Sequence, residues 1–379
     1  MLKTKKINYF INYVVKKDWS FVLMILLITR IFLIIIGLIS VSLISQNPET
    51  VKTEHVSNIK IIDIWYNWGS LTYYKITTEG YDNIGTRDHR DYAHFPILPL
   101  IMNLFFFIFG KSPLAGLIII NLFFYFAILL FLKIIKMSFS DKISRKSIIF
   151  IFIFPSTLFF SNFMSESIFL FFLMLGLYAL KKNNFLLAGI SGMFLSATRI
   201  VGIAFFISSL SYIYFQRKKI KNKNFLWLLL SPLGLIFYGL YLKILYGNPW
   251  IFISVQEHWG RETNFLSIDN FFNILNLFID FSLGNLINLF FLILGIVAII
   301  WCWKKWDKSY AIFGVIVLFM PILSASLLSM SRLILVIFPI YVMMANFSEK
   351  KYVYELFIVL SSMLMSLWTI VFVNGYWIA

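Results

Sequence analysis

The chain has 379 residues, 60% of them hydrophobic and only 13% charged, with a mean hydropathy of +0.85. Soluble domains carry roughly 45 to 50% apolar and 25% charged residues, so this composition excludes an ordinary water-soluble globule and puts the chain in a bilayer. Lys plus Arg outnumber Asp plus Glu by 33 to 17, a net +16 that basic cytoplasmic loops explain without nucleic acid, and the one cysteine, Cys302, excludes an intrachain disulfide and a thiolate zinc cluster.

The first apolar run, Trp19 to Ser45, predicts a transmembrane helix over residues 18–45. It exceeds the roughly 20 residues a helix needs to span the hydrocarbon core. Lys3, Lys5, Lys6, Lys16 and Lys17 precede it and no small-residue cleavage site follows, which reads as an uncleaved signal anchor with a cytoplasmic N-terminus. Residues 46–94 then form an external loop that holds seven of the 17 acids: Glu49, Glu54, Asp63, Glu79, Asp82, Asp88 and Asp91. Within it Ile61, Ile64, Trp65, Trp68, Leu71 and Ile76 recur at three- and four-residue spacing, with Asp63, Asn67, Ser70 and Tyr74 on another face. That pattern predicts an amphipathic helix lying in the membrane interface.

Residues 95–379 read as a helical bundle, with apolar runs at 95–110, 113–132, 147–163, 167–180, 185–215, 225–245, 286–303, 309–325, 333–347 and 352–375. The fold class expected is all-α and polytopic, a single membrane domain over residues 1–379 with about 10 to 12 transmembrane or half-spanning helices. Basic clusters at Lys133 to Lys146, Lys181 and Lys182, Arg217 to Lys223, Lys304 to Lys308, and Lys350 and Lys351 mark the cytoplasmic side. If both 95–110 and 113–132 crossed, the Lys133 to Lys146 loop would land outside, so the first of them is expected to be re-entrant.

Arg30, Glu166, Arg199 and Arg332 lie within or beside apolar runs. An ionised side chain at a helix centre costs roughly 2.5 to 3.5 kcal/mol on insertion scales, so each needs a partner, a wet cavity or a route to the interface. Snorkelling is the simplest reading of Arg30. Four patterns accompany the other three: Trp68-Gly69-Ser70 with Tyr73, Ile76 and Gly80-Tyr81; Ala93-His94-Phe95-Pro96-Ile97-Leu98-Pro99; Phe154-Pro155-Ser156-Thr157 with Ser165-Glu166-Ser167 and Thr198-Arg199; and Gln256-Glu257-His258-Trp259-Gly260-Arg261. A weaker fifth is Ser331-Arg332 ahead of Phe338-Pro339.

In order and spacing these patterns resemble the PIG-V-like mannosyltransferases, a branch of the GT-C glycosyltransferases that includes the enzyme adding the second mannose of GPI anchors. That family's external loop reads Trp-Asp-x-x-x-Tyr-x-x-Ile-Ala-x-x-Gly-Tyr, then Phe-Phe-Pro-x-x-Pro, followed by Phe-Pro-Thr, Thr-Glu-Ser, Thr-Arg, Gln-x-x-Trp-x-Arg and a late Ser-x-x-Arg. The matches here run from Trp68 to Pro339. The resemblance implies a GT-C-like fold and inverting transfer of a sugar, mannose by analogy, from a polyprenyl- or dolichyl-phosphate donor to a lipid-linked or glycan acceptor at the outer or lumenal face. A prokaryotic plasma membrane is the expected location, with membrane lipids as surroundings and no nucleic-acid partner.

One departure matters: Gly69 stands where the family has the loop aspartate expected to act as general base. A positioned base is worth about 10² to 10⁴ in rate, so another carboxylate must substitute or the protein is an inactive relative that binds lipid-linked sugar. Asp63 and Asp91 are the catalytic candidates, with Asp88 a further alternative. On one continuous helix Asp63 would sit about 120° from position 69, so it serves only if the helix breaks, with Gly69 a plausible hinge. Departure of a lipid phosphate calls for cations and donors, and Arg199, Arg261, Arg332, His94 and His258 supply them. Trp68, Tyr73 and Trp259 are candidates for stacking on sugar faces, and Glu166 and Gln256 for sugar or acceptor binding. The loop carries no Asp-x-Asp pair, so no metal and no cofactor are expected. A transporter or lipid flippase is the competing class, since intramembrane charges also mark transport pathways, but two matching halves are not evident.

Overall fold

The computed structural model describes residues 17–48, 55–81, 90–217, 223–261, 263, 268–279 and 282–377. Lys3, Lys5, Lys6, Lys16, Glu49, Glu54, Asp82 and Asp88 lie outside the described residues, as does most of the basic segment after Arg217. Among the described residues every regular element is helical.

In chain order the helices are α1 (Asp18–Leu43), α2 (Lys60–Asp63), α3 (Gly69–Glu79), α4 (Ile97–Phe109), α5 (Pro113–Lys136), α6 (Asp141–Ile153), α7 (Glu166–Lys181), α8 (Phe185–Ser196) and α9 (Ile203–Gln216). They continue with α10 (Leu233–Tyr246), α11 (Ile251–Ser254), α12 (Ile268–Ile279), α13 (Leu283–Lys305), α14 (Lys308–Leu323), α15 (Met330–Leu333), α16 (Pro339–Phe347) and α17 (Lys351–Val373). Among the described residues five stretches are long and apolar enough to cross a membrane: α1, α5, Asn224–Tyr246, α13 and α17. A sixth is the pair Met330–Val336 and Pro339–Phe347, bent by 88°. Shorter apolar helices, α4, α8, α14 and Ile200–Gln216 among them, complete the bundle. The chain is a multi-pass integral membrane protein, in keeping with the expected class.

Local chemistry explains most boundaries. Ser112 caps α5, accepting from the Ala115 N–H at 3.4 Å, and Pro113 occupies the first turn, where its missing N–H costs nothing. Ser140 caps α6 in the same way, so this helix begins in the charged Asp141 to Lys146 segment, ahead of the apolar run. It ends at Ile153 because Phe154 precedes Pro155 and adopts an extended conformation (ψ 142°), which the proline favours. The expected apolar helix over 147–163 is therefore a helix followed by a buried, largely irregular segment through Ser165.

At one end of the bundle Asp18, opening α1, pairs with Lys136 of α5 at 2.7 Å and with Arg145 of α6 at 3.3 Å. The start of α1 and the Lys133 to Lys146 segment thus share a face. Helix α4 spans only about 20 Å at 1.5 Å per residue, short of the roughly 30 Å hydrocarbon core. Lys181, paired with Asp307 at 2.6 Å, closes a second basic contact at the turn between α13 and α14.

Two expectations are corrected. Residues 60–79 do not form one interfacial helix: α2 ends at Asp63, and α3 begins only at Gly69 after Trp68, which takes φ 55° and ψ −135°. The apolar residues Ile64, Trp65 and Ile76 are buried in protein, and so are the polar Asp63, Asn67 and Ser70. Asn67 Nδ2 donates to the carbonyls of Phe372 at 2.9 Å and Val373 at 3.3 Å, tying this loop to the end of α17. Arg30 does not snorkel from mid-helix to an interface. Its Nε donates to Asn121 Oδ1 of α5 at 2.6 Å and its guanidinium lies 5.0 Å above the Phe124 ring, an interhelical tie.

Candidate functional site

Away from the Asp18 end, a cavity of about 710 Å³ opens between the start of α3, the Arg90–Ala93 turn, the break between α8 and α9, the Val255–Trp259 segment and the ends of α14 and α15. Segments far apart in sequence meet here because most of them are interruptions of helices. The α8–α9 break places Arg199 on the wall: Thr198 Oγ1 turns back to the Phe194 carbonyl at 2.6 Å, and the chain folds tightly over Leu195. A Cβ at Gly202 would lie 2.1 Å from the Leu195 carbonyl oxygen, so only glycine permits this approach.

Arg199, Arg261 and Arg332 all line the cavity. Glu166, the first residue of α7, has no exposed surface, and its Oε1 accepts from Arg199 Nη1 at 2.7 Å and from Arg332 Nε. It faces the two guanidiniums from beneath and does not reach the cavity wall, so it is not where a sugar-binding group would be. Arg261 is held by Gln256, whose Oε1 accepts from Nη1 at 2.7 Å. Burial, reinforced by the charges of Arg332 and Arg199, pulls Arg261 down to about 10 from the usual guanidinium range. Three guanidiniums against one buried carboxylate leave a cationic pocket that gains from an anion.

The loop wall of the same cavity is formed by Trp68, Gly69, Thr72, Tyr73, Asp91 and His94. Asp91 is 4% exposed and is the only carboxylate on the wall among the described residues. Tyr73 is also buried, its ring edge-on to His94 at 4.7 Å between centroids. Trp259 is 37% exposed and lines the cavity, as do Trp68 and Gln256. Met320, Leu323, Leu328 and Leu333 supply an apolar flank.

Besides Glu166, two predicted residues are not brought to this cavity. Asp63 accepts from the Val56 N–H at 2.9 Å, pairs with His55 Nδ1 at 2.8 Å, and lines a separate polar cavity of about 30 Å³, room for about one water, near Asn67 and Asn374. The break in the loop does occur, but at Trp68 rather than by a hinge at Gly69, and it leaves Asp63 on the far side. His258 is exposed and is absent from the wall. In turn the cavity includes Trp377, which sequence reasoning missed; it meets Trp68 edge-on at 5.0 Å, and no motif marked it.

No protein-family profile matches the chain, and a search of curated proteins finds no relative. Among solved structures the chain is similar to an oligosaccharyltransferase from Archaeoglobus fulgidus, crystallised as a complex with zinc and sulfate. The identity is 15% and the TM-score 0.48 over 92% of this chain, which spans about half (53%) of that protein's length. Nothing about the site follows from a likeness of that strength.

Proposed function

We propose that the protein is a glycosyltransferase of the GT-C type that moves a hexose, mannose by the family resemblance, from a polyprenyl- or dolichyl-phosphate donor to a lipid-linked or glycan acceptor, with inversion, at the outer or lumenal face. The observation that carries this reading is one cavity lined by three guanidiniums, by apolar residues, and by Asp91 and His94 of the loop. As the bond from the anomeric carbon to the phosphate breaks, the phosphate gains a negative charge, and fixed cations stabilise that change more than they stabilise the starting diester. Arginine forks suit phosphate oxygens, and the apolar flank suits the first units of a lipid chain. Inversion needs the acceptor on the sugar face away from the phosphate, which matches a base on the loop wall. Of the two carboxylates singled out, only Asp91 meets that requirement.

The test is transfer of radiolabelled mannose from polyprenyl-phosphate-mannose by the purified full chain in lipid nanodiscs. Transfer is expected, and Arg199→Ala should raise the donor KM and lower kcat/KM by about a hundredfold or more, the loss typical of one transition-state donor. Unchanged donor kinetics would remove Arg199 from the phosphate site. An inert protein that gains transfer on Gly69→Asp would be a disabled catalyst.

A further inference from the structure

Gly69 and His94 are 25 positions apart, yet an ideal Cβ at Gly69 would lie 3.4 Å from His94 Nε2, and both residues face the cavity. The space a side chain at position 69 would enter is bordered by an imidazole nitrogen. That imidazole is firmly held: its backbone N–H donates to the Asp91 carbonyl at 2.9 Å, its carbonyl accepts from the Tyr81 hydroxyl at 2.6 Å, and its ring meets Tyr73 edge-on at 88°. Tyr238 secures the same turn by donating to the Tyr92 carbonyl at 2.7 Å. The titratable groups packed about the ring are Tyr73 on α3, Asp91 on its own turn and Tyr81 at its carbonyl; beyond Tyr73 lie Glu166, Arg199 and Arg332. His94 and the three guanidiniums thus line one cavity.

We propose that His94 is the general base of the transfer, its imidazole filling the role that a carboxylate at position 69 would have. This rests on the glycosyl-transfer reading above. The neutral ring takes the acceptor hydroxyl proton on Nε2, the acceptor oxygen bonds to the anomeric carbon, and the carbon–phosphate-oxygen bond breaks with its electron pair passing to the lipid phosphate. Asp91 then lies one turn away as a flanking carboxylate. A histidine with an unperturbed pKa of about 6.5 is matched to such proton transfer near neutral pH.

The experiment measures mannose transfer from polyprenyl-phosphate-mannose between pH 4 and 9, and binding of polyprenyl phosphate, for the full chain and its His94→Gln, Asp91→Asn and His94→Gln/Gly69→Asp variants. The expected wild-type profile loses activity on its acid side as the His94 imidazole takes up a proton. His94→Gln should lower kcat about a hundredfold or more while polyprenyl phosphate still binds. Adding Gly69→Asp should restore at least about tenfold and move the acid limb toward the carboxylate range, about pH 4. The rescue also separates lost chemistry from lost folding, since position 69 has a φ outside the left-handed region and ordinary clearance for a Cβ. A wild-type limb in the carboxylate range that persists in His94→Gln and disappears in Asp91→Asn assigns the base to Asp91 and overturns the proposal. A wild-type protein that binds polyprenyl phosphate but transfers nothing overturns His94 as base and leaves the lipid-phosphate reading standing. Absence of both transfer and binding removes that reading and this proposal together.

Discussion

Glu166 is the residue on which the cationic pocket depends. It carries a full charge with no exposed surface, and the same carboxylate oxygen receives Arg199 and Arg332. Desolvating a carboxylate is costly and two cations offset that cost, so the arrangement holds only while the carboxylate is charged. Glu166→Gln keeps the shape and removes the charge, leaving two guanidiniums facing each other. It should lower stability by about 3 to 5 kcal/mol, read by denaturation in detergent, whereas a loss below about 1 kcal/mol would mean the arginines do not depend on it. Trp68 is the second costly residue: its backbone lies in a left-handed region that only glycine enters freely, and strain of about 1 to 3 kcal/mol is retained at the cavity wall. Most site residues were legible as types, because charges in apolar runs need a reason. Their roles were not. Gln256 looks like a sugar ligand in sequence, and only the fold shows it holding Arg261. The quoted family pattern has aspartate at position 69 and phenylalanine at position 94, but sequence distance hides that Gly69 and His94 are neighbours.

Among the elements, the external loop is fastened to the last helix. Asn67 supplies a donor to the carbonyls of Phe372, which the Gly375 N–H also reaches at 3.1 Å, and of Val373 at the end of the helix. Asn67→Ala should cost about 1 to 3 kcal/mol, the penalty for buried acceptors left unmade, measured as a shift in the unfolding midpoint; no shift would show that other contacts hold the loop. The loop also shows where periodicity misleads. Apolar residues keep a helical spacing across Trp68 because both halves bury a side against protein, so a broken pair reads as one helix. The apolar run over 185–215 appears as two short helices, α8 and α9. Pro155 stops α6 for a reason visible in the sequence, although the apolar run continues past it.

For the whole molecule, the ion pairs of Asp18 with Lys136 and Arg145 place the start of α1 beside the basic Lys133 to Lys146 segment, and the cavity opens elsewhere. With the basic face cytoplasmic, the cavity faces outward. Cys302 is buried, so the unaltered protein should resist a membrane-impermeant maleimide. Asn58→Cys should label in intact cells and Lys182→Cys only after lysis; the reverse pattern would invert the orientation and with it the side on which transfer occurs. Helix count and basic clusters made this architecture legible, while the number of true crossings was not, since apolar runs of similar composition become either spanning or half-length helices according to their packing.

The central claim is that a lipid phosphate sits among Arg199, Arg261 and Arg332 with its chain along the apolar flank. The most direct measurement is an experimental structure of the full chain in a nanodisc with polyprenyl phosphate bound. The prediction is phosphate density within hydrogen-bond distance of at least two of these guanidiniums, with the chain leaving past Met320, Leu323 and Leu333. Phosphate density bound elsewhere, with the arginine pocket empty, would contradict it.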